Sequence, residues 1–210
     1  NAGLLFSGFL KTLQLSVVAG VGALIIGTLL AGFRVSPIPP LRAAATFYVE
    51  VLRNTPLTAV FFLVVFGLPQ LDLTFQNFTY AAMLALTLYT AAFVCEVVRS
   101  GINSVSMGQA EAARALGLTF RQSLREVILP QAFRTVVPPL GNVWIALVKN
   151  SSIAAGFAVT ELTALVGRLA NTNASQVLVV FGGVAAAYMV ITVPSAIGVN
   201  YLERRVAILR

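Results

Sequence analysis

The sequence predicts an all-α membrane protein with five transmembrane helices and a structured cytoplasmic loop between the third and the fourth. Three observations carry this. First, 58% of the 210 residues are hydrophobic and only 10% are charged, with a mean hydropathy of +0.90, far from the balance of a water-soluble domain. Second, apolar runs recur at the length needed to cross a hydrocarbon core of about 30 Å, which takes about 20 helical residues. Third, most of the cations stand between these runs rather than within them. Five runs and their loops fill the chain. No composition shift or Gly/Ser-rich linker divides it, so residues 1–210 are expected to form a single transmembrane domain.

The net charge of +7 does not point to nucleic acid, because the fourteen Lys and Arg form no aromatic-interleaved patch. Histidine is absent, and Cys95, the one cysteine, lies inside an apolar run. A disulfide framework, a thiol–imidazole pair and a His or Cys metal site are therefore excluded within this chain. The chain begins with Asn1 rather than Met, so its start is expected to be trimmed. It shows no basic-then-apolar leader with a small-residue cleavage site, and the first run is long enough to stay in the membrane.

In the first run, Lys11, Thr12 and Gln14 interrupt the start, which places the span at 13–33 with Arg34 closing it. Residues 35–46, with Pro37, Pro39, Pro40 and Arg42, read as a short loop. The second span covers 47–68, and a polar loop with Asp72 as its only charge covers 69–77. The third span, 78–98, ends at Arg99. Residues 100–137 carry Glu111, Arg114, Arg121, Arg125, Glu126 and Arg134, and this stretch must lie outside the hydrocarbon. The fourth span runs from Pro138 and Pro139 to about 166, broken near its middle by Lys149, Asn150, Ser151 and Ser152. The fifth covers 177–201, before a basic tail at 203–210. One side collects Arg34, Arg42, Arg99, Arg114, Arg121, Arg125, Arg134, Arg204, Arg205 and Arg210, and the other clearly holds only Lys11 and Arg168. By the positive-inside rule the crowded side is cytoplasmic, which puts the N-terminus outside and the C-terminus inside.

The charged loop has helix punctuation of its own. Ser106 with Gln109, and Thr119 with Gln122, fit capping boxes. Gly117 suits the left-handed end of a first helix at 107–116, and Pro130 limits a second at 120–129. Small Ala112, Ala113 and Ala115 leave a face that another protein can approach, beside charged Glu111 and Arg114. A solvated hairpin with no partner is the plainer reading of the helix pattern alone.

The spacing adds to this: Glu111-Ala112-Ala113, three residues, Gly117, nine residues, then Val127, Ile128, Leu129 and Pro130. This resembles the EAA motif of ABC importer permeases, with Val127 where the motif has isoleucine. Leu52-Arg53-Asn54-Thr55-Pro56-Leu57 is similar to the R-G-T-P-L segment of the polar amino-acid permeases (the histidine, glutamine and glutamate group), with Asn54 where glycine is usual. The stretch 93–103 resembles their A-E-I-V-R-G-G-I segment, with Cys95 and Ser100 in place of small residues. The stretch 138–163 resembles their L-P-P-L-G-N, K-D-T-S and E-L-T run, with Asn150 where aspartate is common. The likeness covers the chain from about residue 12 to its end.

The resemblance implies a type I ABC importer permease fold in a bacterial cytoplasmic membrane. It implies a second permease, the same or homologous, two ATPase subunits docked on the hairpin through Glu111, Ala112, Ala113, Arg114 and Gly117, and an extracytoplasmic solute-binding protein. Transport by alternating access would carry a polar amino acid, with glutamate, aspartate or glutamine favoured. No G-x-x-x-x-G-K-[ST] phosphate loop is present, so ATP and Mg are expected on the partner ATPase and no cofactor in this chain, which is not itself an enzyme.

Within the membrane several residues carry two readings. Proline at position 56 removes the N–H that would bond the Leu52 carbonyl, so Thr55 and Pro56 form either a gate hinge or a packing kink. Glu96 stands one turn from Arg99 and either pairs with it or meets solute or another subunit. Glu161 has no cation within one turn and is expected to face a cavity, a partner or the far interface, along a stretch that lines the path in the family. The break at Lys149, Asn150, Ser151 and Ser152 suits a broken helix whose second half points N–H groups at a solute carboxylate. Its alternative is an interfacial first half with a snorkelling lysine. Two other classes compete: a lipid-modifying enzyme, for which the candidates Glu96 and Glu161 lie on different spans, and a secondary transporter, which would show inverted repeats and more spans.

Overall fold

The computed structural model describes residues 2–172 and 177–206, so the expected tail beyond 206 lies outside the described residues. Among these residues nine α-helices follow one another: α1 (Ala2–Val35), α2 (Pro39–Asn54), α3 (Leu57–Phe62), α4 (Phe78–Asn103), α5 (Met107–Ala115), α6 (Phe120–Gln122), α7 (Leu129–Asn150), α8 (Leu162–Thr172) and α9 (Val177–Val206). Three stretches are long and apolar enough to cross a membrane alone, Gly3–Val35, Phe78–Asn103 and Val177–Arg205. The number reaches five when two bent pairs, Pro39–Asn54 with Leu57–Leu71 and Phe120–Phe157 with Leu162–Asn171, each count as one span.

Helix α4 is the centre of the bundle. Its small residues Ala81, Ala82, Ala85, Ala91, Ala92 and Cys95 are all buried, and α1, α2, α3 and α7 pack around it. Small residues let helix backbones approach, which is how helices associate where water supplies no driving force. At the α1–α4 contact a Cβ at Gly27 would stand 2.6 Å from Val94 Cβ and 2.7 Å from the Ala91 carbonyl. Likewise a Cβ at Gly141 would meet Val199 Cγ2 at 2.1 Å, which fixes α7 against α9. Asn77 starts α4, its side chain accepting from the Tyr80 N–H at 3.3 Å.

The structure changes the expected second span. Only 36–38 are non-helical between α1 and α2, because Pro39 and Pro40 fall in the first turn of α2, where a missing N–H costs nothing. The span expected over 47–68, with a kink or opening near Thr55, is two helices bent by 110° at Thr55 and Pro56, and the first of them begins at Pro39 rather than at 47. Helix α2 is amphipathic and packs Val49, with Tyr48 and Leu52, onto Ala31, Ala92 and Cys95. Beyond α3 the chain widens into a π-helical turn at Leu63–Gly67 and a 3₁₀ turn at Leu68–Leu71. Phe61 stacks on Phe157 at 4.9 Å and so ties α3 to the bent fourth span.

That fourth span is also corrected. At Ser151 the helix does not break but tightens into a 3₁₀ segment, Ser151–Phe157. The bend comes later, at left-handed Ala158, and is 48°. Ser151 does not cap a following half-helix. Its hydroxyl turns back to the Val148 carbonyl at 2.7 Å, the local bond that Ser side chains readily make.

Candidate functional site

The loop helices form the expected hairpin, with two changes. Gly117 takes φ +80, its N–H donates to Arg114 O at 2.9 Å, and the Leu118 N–H donates to Ala113 O at 3.1 Å. This bond pair closes the C-terminus of α5 and requires the left-handed conformation that glycine adopts without strain. The Thr119–Gln122 capping box is made in both directions. The Ser106–Gln109 box is not, because the Gln109 amide oxygen is taken by the Gln131 side chain. Pro130 does not end the second helix either. It sits in the first turn of α7, preceded by a π-helical turn at Ser123–Ile128, so its missing N–H is absorbed where the ladder is already re-registered.

Of the residues expected to couple to the ATPase, Ala113 is buried and Glu111, Ala112, Arg114 and Gly117 are exposed. Around them the hairpin exposes large apolar side chains: Leu116 at 82%, Phe120 at 81% and Met107 at 77%. A charged loop that leaves such side chains uncovered has an apolar patch of the kind that marks a protein interface.

At the arginine-rich end of the bundle, Glu96 has more partners than Arg99. Its carboxylate accepts from Arg34, from Arg99 Nη2 at 3.1 Å, and lies 3.6 Å from Arg53 Nη1. The last turns of α1 and α2 supply Arg34 and Arg53, positions where a cation also meets the negative end of the helix dipole. Three guanidinium groups thus surround one carboxylate. The Arg53 side chain is 45% exposed, and its guanidinium lies 5.8 Å over the Phe93 ring. Glu96 also borders a cavity of about 330 Å³, with Ser100, Gly101, Ser104, Thr135 and Pro139.

Between α4 and α7 lies a second cavity of about 250 Å³, lined by Tyr89, Thr90, Phe93, Val143, Ala146, Leu147 and Asn150. The Thr90 hydroxyl is buried without a hydrogen-bond partner. Of the expected solute-path residues, Asn150 lines this cavity, Ser152 is half-buried and Ser151 is fully buried.

Of the settings expected for Glu161, a cavity, a partner or the far interface, the described residues give it protein partners. It is 0% exposed and faces protein donors rather than a wet cavity. Oε1 accepts from the Ala164 N–H at 3.0 Å, which caps α8, and Oε2 accepts from Tyr188 at 2.7 Å and from Thr12 at 3.3 Å. Thr12 in turn accepts from the Leu162 N–H at 3.3 Å. The carboxylate therefore ties α1, α8 and α9, and backbone and hydroxyl donors offset its burial. Thr55 donates to the Val51 carbonyl at 2.7 Å, steadying the end of α2 where Pro56 interrupts it.

Residues 23–208 match the family described as binding-protein-dependent transport system inner membrane component. The chain is 45% identical over 208 residues to the probable glutamine ABC transporter permease protein GlnM of Bacillus subtilis (strain 168), covering 98% of this chain and 94% of that protein. It is 42% identical over 215 residues to the glutamate transport system permease protein GluC of Corynebacterium efficiens, at 97% and 94% coverage. Among solved structures, a chain of an amino acid ABC transporter with histidines superposes with a TM-score of 0.90 at 33% identity, covering 97% of this chain and 94% of that one.

Proposed function

This chain belongs to the binding-protein-dependent transport system inner membrane component family, and from that premise we propose that it imports glutamate, aspartate or glutamine by alternating access. It is an inner-membrane permease subunit of an ABC importer for polar amino acids, and ATP hydrolysis belongs to separate subunits. The assembly we propose holds two permeases, two ATPases that bind ATP and Mg, and one extracytoplasmic solute-binding protein. The N-terminus lies outside and the C-terminus in the cytoplasm, which the arginine asymmetry supports.

One observation carries the coupling part of this reading: the hairpin of α5 and α6 exposes Leu116, Phe120 and Met107 around Glu111, Arg114 and Gly117. In a loop outside the hydrocarbon, an apolar tip rimmed by charge suits a partner that must grip and pull. The solute part rests on chemistry. Asn150, the unpartnered Thr90 hydroxyl and the ring of Phe93 line the α4–α7 cavity, and Arg53 lies over Phe93. With Glu96 outnumbered by Arg34, Arg53 and Arg99, the inner mouth has cationic excess for a solute carboxylate. Thr55 and Pro56, at the 110° bend, are the hinge of this reading.

The test is a Leu116→Asp, Phe120→Asp double variant, whose side chains leave the core untouched. We expect the permease to accumulate in the membrane, to lose the co-purifying ATPase and to show no solute-stimulated hydrolysis. Normal stimulation by solute in the double variant overturns the docking role. In proteoliposomes, glutamate or glutamine should compete for uptake better than lysine. The reverse order rejects the solute class.

A further inference from the structure

We propose that the apolar groove between α1, α4, α7 and α9 holds an acyl chain of an anionic phospholipid, with Arg134, Arg204 and Arg205 gathered at its headgroup. The groove has a volume of about 400 Å³, within the range of built small-molecule sites. Its walls are carbon: Val21 and Leu24 from α1, Leu140 and Trp144 from α7, Val199 and Leu202 from α9. Gly20 and Gly141 line it with no side chain of their own. The Trp144 indole N–H, the other polar handle here besides Thr90, is engaged by Ser195 Oγ at 3.1 Å. The groove extends along α7 from Val137 to Leu147, about 15 Å at 1.5 Å per residue. That is half of a hydrocarbon core of roughly 30 Å, or the depth of one leaflet.

The charge at one end selects the occupant. Gly141 sits at Val199 and Trp144 at Ser195, so α7 and α9 run antiparallel. Moving the same distance from Gly141 and Val199 toward the arginine-rich end brings Arg134 level with Arg204 and Arg205. All three are exposed, and among the described residues the ion pairs are those of Glu96 with Arg34, Arg53 and Arg99. The Arg205 guanidinium rests 4.8 Å over the Tyr201 ring, one residue before Leu202, which lines the groove. Glu203 is the one acid beside these arginines on α9. Three cations above an apolar slot one leaflet deep match a phosphate headgroup above its chain, and basic sites between helices on the cytoplasmic side suit anionic lipids. The leaflet assignment rests on the orientation proposed above.

The experiment uses the assembled transporter, stripped of lipid in detergent and equilibrated with phosphatidylglycerol or phosphatidylcholine of equal chain length. Retained lipid per complex is counted by mass spectrometry. Wild type should retain phosphatidylglycerol in preference. The triple variant Arg134→Gln, Arg204→Gln, Arg205→Gln should lose that preference, about fivefold for each arginine. Val21→Trp, and separately Leu24→Trp, should fill the slot and lower retention of both lipids. Equal retention of the two headgroups by wild type overturns the proposal, as does undiminished retention by both tryptophan variants in monodisperse complexes. A disulfide formed by Val21→Cys with a second permease also overturns it, since the groove would then be a subunit interface. Labelling of Arg205→Cys from the outside only would refute the orientation and leave the site standing.

Discussion

Glu161 offers a direct measurement of how an acid is kept inside the membrane. In Glu161→Ala the Ala164 N–H loses its cap, while Tyr188 keeps Thr163 at 2.9 Å and Thr12 still accepts from Leu162. Loss of an N-cap costs about 0.5–2 kcal/mol. The two lost hydroxyl contacts each add about 0.6 kcal/mol, the mean for hydrogen bonds between membrane helices, and the vacated volume adds further cost. A total of about 2–4 kcal/mol would lower the unfolding midpoint by roughly 4–16 °C, at about 2–4 °C per kcal/mol for a chain of this size. Glu161→Gln retains an amide oxygen for the Ala164 N–H and fills the same volume, so its cost should stay below about 1 kcal/mol. The assay is the thermal loss of monodisperse complex in detergent, with Tyr188→Phe added to both backgrounds. A coupling of about 0.6 kcal/mol between Tyr188 and Glu161, and at most about 1.7, is expected. If Glu161→Ala melts with wild type while Glu161→Gln changes which solute is carried, the carboxylate faces the path and the capping argument fails.

Gly27→Ala places a Cβ 2.6 Å from Val94 Cβ and 2.7 Å from the Ala91 carbonyl; backbone cannot yield cheaply, so a loss of about 1–3 kcal/mol should appear in the same melting assay, and an unchanged midpoint would contradict the α1–α4 packing. Glu96→Gln leaves Arg34, Arg53 and Arg99 without their shared carboxylate. Its cost should fall below the roughly 3–5 kcal/mol of a fully buried pair, because Arg53 is 45% exposed. The readout is the yield of assembled complex, and an undiminished yield means that the cluster is structurally idle. Cysteines at Gln122 and Asp72 should react with an impermeant reagent from the cytoplasm and from outside respectively, with the reverse pattern sinking the proposed orientation.

The parts of the fold legible in the sequence are those governed by uninterrupted apolarity. Helices α4 and α9 follow from such apolar runs, since a lipid-spanning backbone must satisfy its own hydrogen bonds, whereas α1 begins at Ala2 rather than at 13 because Lys11, Thr12 and Gln14 interrupt the apolarity without interrupting the helix. The bent spans were legible only as irregular. Pro56 marks a break from local chemistry, but a bend of 110° depends on where α2 finds its packing face on α1 and α4. The polar cluster at Lys149, Asn150, Ser151 and Ser152 looked like the fourth span's break, because polarity is what a sequence displays. The actual bend falls at Ala158, a residue with no polar signal, while the Ser151 hydroxyl donates to the Val148 carbonyl of the preceding turn.

Glu96 and Glu161 separate local from tertiary information. Glu96 has one partner readable at helical spacing, Arg99, and two, Arg34 and Arg53, that only the convergence of α1, α2 and α4 supplies. Glu161 has no cation within one turn, and from that cost alone a cavity, a partner or the far interface follows. The partners include neutral donors, and Thr12 and Tyr188 lie 149 and 27 residues away, beyond the reach of any periodicity. Both residues are visible as polar interruptions of apolar helices, and that is the signal to pair them: an acid and a hydroxyl in different spans of one bundle lower each other's burial cost, so each predicts the other. Applied to the rest of the chain, the same reasoning singles out Thr90. It is a hydroxyl in an apolar helix with no protein partner, at the wall of the α4–α7 cavity, where a polar solute would meet it.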